Sequence, residues 1–256
     1  MIRKISFLSY AVVAYLTGTA SMVALIIFLS GLVSSFSVDT GTARPMAKAL
    51  LINSALLALW TLQHIGMARP RFKRWLERWL PAAIERSTYV LFTGLSLGVL
   101  LIAWSPMPET LFAVVQPLGV VVMYALFLAG WTFAFAGIFY DHYLEFVGLK
   151  QAYCHVHGLA FTSSRFSAGF VFRLCRRPTI FGILVGCWAT PVMTVGHSFF
   201  AAGMTAFTFA GCYFVERTYL RVYGDAYRKF QSVTPLLLPR LRALWRDAGV
   251  SESSVR

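Results

Sequence analysis

Charge is what this sequence lacks. Of its 256 residues only 13% are Asp, Glu, Lys or Arg, while 58% are hydrophobic. A soluble globular chain carries roughly a quarter charged residues, so water is excluded as the main solvent for most of this one. The deficit is also uneven: no Asp, Glu, Lys or Arg occurs in 5–38, 49–68, 87–108, 110–140 or 178–215. Cysteine is scarce and unpaired in spacing. Cys154, Cys175, Cys187 and Cys212 stand alone, which excludes a disulfide framework. Internal repeats, low-complexity tracts and lipidation motifs are absent as well.

What is present is a set of apolar runs of membrane length. A bilayer core of roughly 30 Å takes about 20 helical residues to cross. Inside lipid each backbone N–H and C=O must be paired within its own segment, so every run reads as a helix. The first, over 7–32, continues past a typical signal-peptide core and reads as a retained span. The 178–215 run is too long for one crossing, since at ~1.5 Å per residue it would extend roughly 57 Å. It is interrupted by Thr190-Pro191 and Gly196-His197. Proline removes a helix hydrogen bond and glycine relaxes the backbone. The run therefore divides into helices over 179–193 and 198–215, joined as a tight hairpin.

The expected fold is an all-α integral membrane protein of five to six transmembrane helices, including this C-terminal hairpin. Residues 1–240 form one membrane domain, with the candidate site region over 141–240. The polar tail 241–256 follows, and its last six residues read as unstructured. With the N-terminus inside, every Lys and Arg except Arg44 and Lys48 falls on the inner side. That asymmetry orients both termini toward the cytoplasm. It also explains the net charge of +13 without nucleic acid, because basic loops meet anionic headgroups.

Two polar regions do more than connect. In 67–86, charges alternate with aromatics, and Trp75, Leu76 and Trp79 are expected to share a face with Phe72 on an amphipathic interfacial helix. The segment 141–178 and the tail from 216 flank the hairpin on the same side, which makes a shared site between them natural. Ionisable groups near membrane depth are functional candidates. They comprise His64 after Gln63, and Asp141, His142 and Glu145 at the end of the fourth long run. Cys154-His155-Val156-His157 offers thiol and imidazole ligands of the kind zinc or copper takes, but no second pair has matching spacing, so no metal is expected. His197 reads as structural. Arg176-Arg177-Pro178 precedes the hairpin and Glu216-Arg217 follows it, suiting carboxylate and amine recognition. The stretch from Tyr223 to Phe230 reads as a basic, aromatic surface helix, and the segment ends at Pro235 and Pro239.

In order and number these motifs resemble the membrane methyltransferases related to isoprenylcysteine carboxyl methyltransferase, and within them the methanethiol S-methyltransferase and NnrU-like branch. The resemblance covers about residues 50 to 240. Besides the hairpin flanks and Gly224-Asp225-Ala226-Tyr227, it rests on Leu62-Gln63-His64 through Arg69-Pro70, Glu85-Arg86-Ser87, Trp104-Ser105-Pro106, Glu145 to Gln151, and Trp188 to His197. It implies S-adenosylmethionine as methyl donor and a small thiol such as methanethiol as acceptor. The product would be a thioether such as dimethyl sulfide, and the location the bacterial inner membrane. Candidate catalytic residues are then Glu216, Arg217 and His64. Candidate donor-binding residues are Arg176, Arg177, Pro178, Gly182, Glu216 and Tyr227. The family's entry motif has histidine and tyrosine where this chain has Arg177 and Ile180, and its exit motif has a second glutamate where this chain has Val215. Three alternatives remain open: another lipid-soluble acceptor, a non-catalytic protein on the same scaffold, and a transporter. A transporter is disfavoured because only one segment is broken and no second half repeats it.

Overall fold

Where the sequence runs longest without charge, the computed structural model is helical. It describes residues 2–140, 142–162 and 170–239. Asp141, Arg165 and the tail 241–256 lie outside the described residues. Helix α1 (Ile2–Ser30) leads away from the basic end of the molecule and α2 (Met46–Met67) returns to it. The short α3 (Pro70–Leu76) turns the chain there, α4 (Ala82–Ala103) leaves again, and α5 (Pro117–Tyr140) comes back. Three further short helices, α6 (Tyr143–Phe146), α7 (Leu149–His157) and α8 (Phe170–Leu174), decorate the basic end before the final pair, α9 (Pro178–Trp188) and α10 (Val195–Val233). Five helices, among the described residues, are long and apolar enough to cross a membrane. Their outer faces carry large aliphatic side chains: Leu51, Ile102 and Leu118 are 71%, 82% and 76% exposed. An apolar surface of this kind on helices of membrane length suits lipid.

The interior is one apolar cluster contributed by α1, α2, α4, α5, α9 and α10, including Phe28, Trp60, Leu100, Trp131, Cys187 and Phe200. α9 packs on α5 with almost no side chain between them. A Cβ at Gly130 would fall 2.7 Å from the backbone N of Gly186, and one at Gly182 would collide with Ala134 N and Gly130 O. Small residues let membrane helices approach this closely, and dispersion between backbones then replaces the hydrophobic drive that lipid removes.

The C-terminal pair differs from the expected hairpin in three respects. α9 ends at Trp188 rather than near 193, because Ala189 to Pro191 leave helical geometry. At ~1.5 Å per residue it reaches only about half way through a bilayer core. Next, the tip is not a bare turn. Strand β2 (Val192–Thr194) pairs antiparallel with β1 (Thr110–Ala113), a strand inside a run read as wholly helical. The tip is further held by Gly196 N donating to Met107 O at 2.9 Å and Val195 N to Glu109 O at 2.8 Å. Thr194 caps α10 by accepting from His197 N and donates to the Asp39 carboxylate. His197 hydrogen-bonds the Cys187 carbonyl through Nε2 at 2.9 Å, which joins the two helices. Finally, α10 continues far past 215, through the exit motif, to a break at Gly224.

The aromatic face expected in 67–86 is split. Helix α3 stops at Leu76, which is buried, whereas Trp75 and Trp79 are 49% and 73% exposed. Phe72 and Trp75 stack, with centroids 5.2 Å apart. Leu76 anchors the segment to the bundle while the tryptophans point outward.

Candidate functional site

Pro178 occupies the first turn of α9, where its missing N–H costs nothing, and so fixes where the helix begins. Arg176 and Arg177 stand immediately before it, and their backbone N–H groups donate to Pro235 O and Leu236 O at 2.9 and 3.1 Å. The segment after α10 thus lies across the start of α9 as a strap. Both guanidinium groups meet Glu216 of α10. Arg177 contacts Oε1 through Nε at 3.0 Å and through Nη2 at 2.9 Å. Arg176 Nη2 lies 3.4 Å from Oε2. Arg177 also donates to the Tyr227 hydroxyl at 3.0 Å, and that hydroxyl donates to Glu216 Oε1 at 2.7 Å. Gln231 closes the other carboxylate oxygen at 2.7 Å.

Tyr227 reaches Glu216 only because α10 breaks. Eleven residues of straight helix would separate them by roughly 16 Å along the axis, too far for a phenol to span. Gly224 takes φ 53° and ψ −125°, which a side chain forbids, and the turns after it fold back against the turn that carries Glu216 and Tyr219. Tyr227 is thereby 2% exposed. Tyr219 completes the wall, with its ring 4.7 Å from the Arg177 Cζ and 5.3 Å from the Tyr227 ring.

The electrostatics favour a ligand of mixed charge. Burial opposes the charge on Arg177, yet Tyr227, Tyr219 and Glu216 together raise its pKa above the ordinary value, so it stays cationic. Two cations face one carboxylate. Arg176 retains a buried Nε with no partner among the described residues, although its Nη1 donates to Gln231 O at 3.2 Å. A buried donor left unpaired costs about 1–3 kcal/mol. An anionic group at Arg176 relieves that cost, and an ammonium group can share Glu216. An amino acid's carboxylate and amine match this set.

The structure brings together Arg176, Arg177, Pro178, Glu216 and Tyr227, but not the other sequence candidates. Arg217 is exposed and donates to Tyr213 at 2.7 Å on its own helix, because successive helical residues diverge by about 100°. Gly182 lies in the α5–α9 seam. His64 is held by a different set, with Nε2 2.8 Å from the Tyr89 hydroxyl and its ring against Trp60 and Phe207. His155 packs edge-on to Phe7, and His157 pairs with the Tyr153 carbonyl. Sequence reasoning misses Gln231 and Tyr219. Gln231 lies one helical turn after Tyr227, a spacing that could have identified it.

The chain is 38% identical over 242 residues to methanethiol S-methyltransferase 1 of Bradyrhizobium diazoefficiens, covering 94% of this chain and 85% of that protein. It is 37% identical over 230 residues to the methanethiol S-methyltransferase of Mycobacterium tuberculosis, covering 90% and 94%. A partial match, 31% identical over 163 residues, covers 59% of this chain and 60% of human nurim. No family model and no solved structure matches.

Proposed function

Because this chain belongs to the methanethiol S-methyltransferase family, we propose that it methylates methanethiol with S-adenosylmethionine and releases dimethyl sulfide. The observation that carries the donor assignment is the Arg176–Glu216–Arg177 cluster with its unused Arg176 Nε. In this reading Arg176 holds the donor's carboxylate and Glu216 its amino group, while Arg177 braces Glu216 and Tyr227. The bound donor supplies a methyl group made electrophilic by its sulfonium. Tyr219, which is only half-buried, offers an aromatic surface for that cation. The acceptor sulfur forms the new C–S bond as the donor's S–CH3 bond breaks, and the thiol proton passes to solvent. Holding the two sulfurs in line around the methyl carbon supplies much of the acceleration.

Sidedness follows from the same assignment. The donor is charged and water-soluble, and the basic end of the bundle carries the cluster, so this end faces the cytoplasm of a bacterial inner membrane with both termini on that side. Calorimetry on detergent-purified protein, with S-adenosylmethionine and S-adenosylhomocysteine, tests the donor site. Saturable binding of both, with dimethyl sulfide formed from added methanethiol, is the expected result. Folded protein that binds neither ligand at millimolar concentration overturns the reading and leaves a non-catalytic scaffold. Donor binding without dimethyl sulfide points to another acceptor.

A further inference from the structure

A second group of buried polar atoms lies apart from the arginine–glutamate cluster. His64, near the end of α2, is fixed by Tyr89 of α4, with ring centroids 5.3 Å apart. Trp60, one turn earlier, stacks on His64 at 5.3 Å and on Phe207 of α10 at 4.4 Å. Phe207 meets His64 edge-on at 5.0 Å. Within this aromatic box two nitrogens have no hydrogen-bond partner among the described residues, His64 Nδ1 and Trp60 Nε1, and Trp60 is only 5% exposed. Unpaired buried polar atoms are uncommon enough that two on touching rings require an explanation. One turn along α10 from Phe207 is Gly211, where, apart from its own helix backbone, no atom of the described residues lies within 4 Å of the position a Cβ would take. It falls between Phe207 and Phe214, and Phe214 carries the Arg69 guanidinium 3.3 Å above its ring. The seam between α2 and α10 is therefore open beside the box.

We propose that the His64–Trp60 box is a holding site for the small apolar thiol, which enters from lipid through the α2–α10 seam. The proposal deepens the function above and rests on it. Trp60 Nε1–H is a donor whatever its surroundings, so the missing partner must accept, and sulfur is a soft acceptor. The His64 tautomer does not change the match. A protonated Nδ1 donates to sulfur, and an unprotonated one accepts from S–H. Trp60 and Phe207 provide apolar walls for the methyl group. A water in the same place would find two partners, where buried waters typically have three. The box is not the place of transfer. Phe207 and Glu216 are nine residues apart on α10, which is roughly 13 Å along the axis and half a turn around it. It acts before the chemistry, at the capture of thiol from lipid, so its loss lowers kcat/KM for the thiol through a raised KM and leaves kcat to the transfer step.

The test is binding of methanethiol alone, kept reduced and with no methyl donor present, to purified protein by saturation-transfer NMR on the methyl signal. Trp60→Phe keeps the ring and deletes the N–H. It is expected to weaken binding by about fivefold, the worth of one net hydrogen bond, and His64→Phe to weaken it at least as much. In turnover, Trp60→Phe raises KM for the thiol by a similar factor, with kcat and donor affinity within roughly twofold of wild type. Unchanged thiol binding and KM in Trp60→Phe overturn the proposal, as does a fall in kcat at constant KM. If His64→Phe does not fold, Trp60→Phe decides alone. Saturable, Trp60-dependent thiol binding in a protein that binds no S-adenosylmethionine would uphold the box while removing the methyltransferase reading.

Discussion

Glu216→Gln removes one charge from the cluster and almost no volume. In the wild type, Oε1 takes Arg177 and Tyr227 and Oε2 takes Gln231, at 2.7 to 3.0 Å, with Arg176 at 3.4 Å. If the carboxylate also receives the donor's ammonium group, losing that charge-assisted contact costs about 1.5–3 kcal/mol. The side chains are 11–14% exposed, so solvent screens part of it, and ~1.5–2.5 kcal/mol is the working range. That corresponds to a roughly ten- to seventyfold weaker Kd. Affinity alone does not isolate the contact, because the substitution also leaves two guanidinium groups without a counterion, and that loss weighs differently on the bound and the free protein. A double-mutant cycle does. S-Adenosylhomocysteine and its deamino analogue are titrated by calorimetry into wild type and Glu216→Gln. The amino group should matter in the wild type and hardly at all in the variant, giving a coupling of about 1.5–2.5 kcal/mol. A coupling near zero, with both proteins folded by thermal melt, would refute the placement of the amine on Glu216.

Gly224→Ala forces a side chain into φ 53°, ψ −125°. It should cost roughly 1–3 kcal/mol and weaken donor binding by withdrawing Tyr227 and Gln231 from Glu216; a variant with wild-type melting and affinity would show the break to be dispensable. Gly182→Ala pushes a methyl into the α5 backbone and should lower stability by about 1–3 kcal/mol. Gly98→Ala, where apart from its own helix backbone no atom of the described residues lies within 4 Å of an added Cβ, should instead be neutral or stabilising by up to ~1 kcal/mol; thermal melts that rank the two the other way refute the seam. Burial pushes the Cys175 thiol up to about 11 from the usual 9. The folded state thus favours the protonated thiol, and that stabilisation is complete below pH 9 and lost as the pH rises toward 11. Cys175 should resist maleimide in folded protein at about pH 8 and react on unfolding, read by peptide mass spectrometry; stoichiometric labelling of the folded protein would contradict it.

The membrane architecture was legible in the sequence because lipid imposes it. A charge-free run of sufficient length has only the helix available, and each such run contains one. The Gly224 break was visible as a residue but not as a break, since α10 was expected to end near 215. Nothing local stops a helix at Glu216, and the arrest comes from backbone geometry further along the chain that tertiary contacts select. The β1–β2 pair was illegible for a related reason. Thr110 to Ala113 are as apolar as a helix, and only Val192 to Thr194, far along the chain, give them an edge to pair with. Glu216 and the two arginines could be inferred as neighbours because they flank one hairpin. The separation of Arg217 and His64 from them could not, because it depends on which faces of α10 meet α9 and α2.

The departures from the family's motifs take on a different weight once the side chains are located. Val215 is 38% exposed, turned about 100° around α10 from Glu216. A glutamate there would face outward, so its loss removes nothing from the cluster. Arg177 is the departure that lies within the cluster, and it is integrated with its neighbours. It spans Glu216 and the Tyr227 hydroxyl at once and stacks on Tyr219. An imidazole has two nitrogens on a short ring and cannot make those three contacts from one position. A planar guanidinium with five donors can. The change at 177 therefore gives Glu216 and Tyr227 a common brace, while Arg176 is the guanidinium left with an unused donor. The two arginines thus differ: Arg177 holds Glu216 and Tyr227 in register, and Arg176, tied to Glu216 and to the Gln231 carbonyl, keeps its Nε without a partner among the described residues.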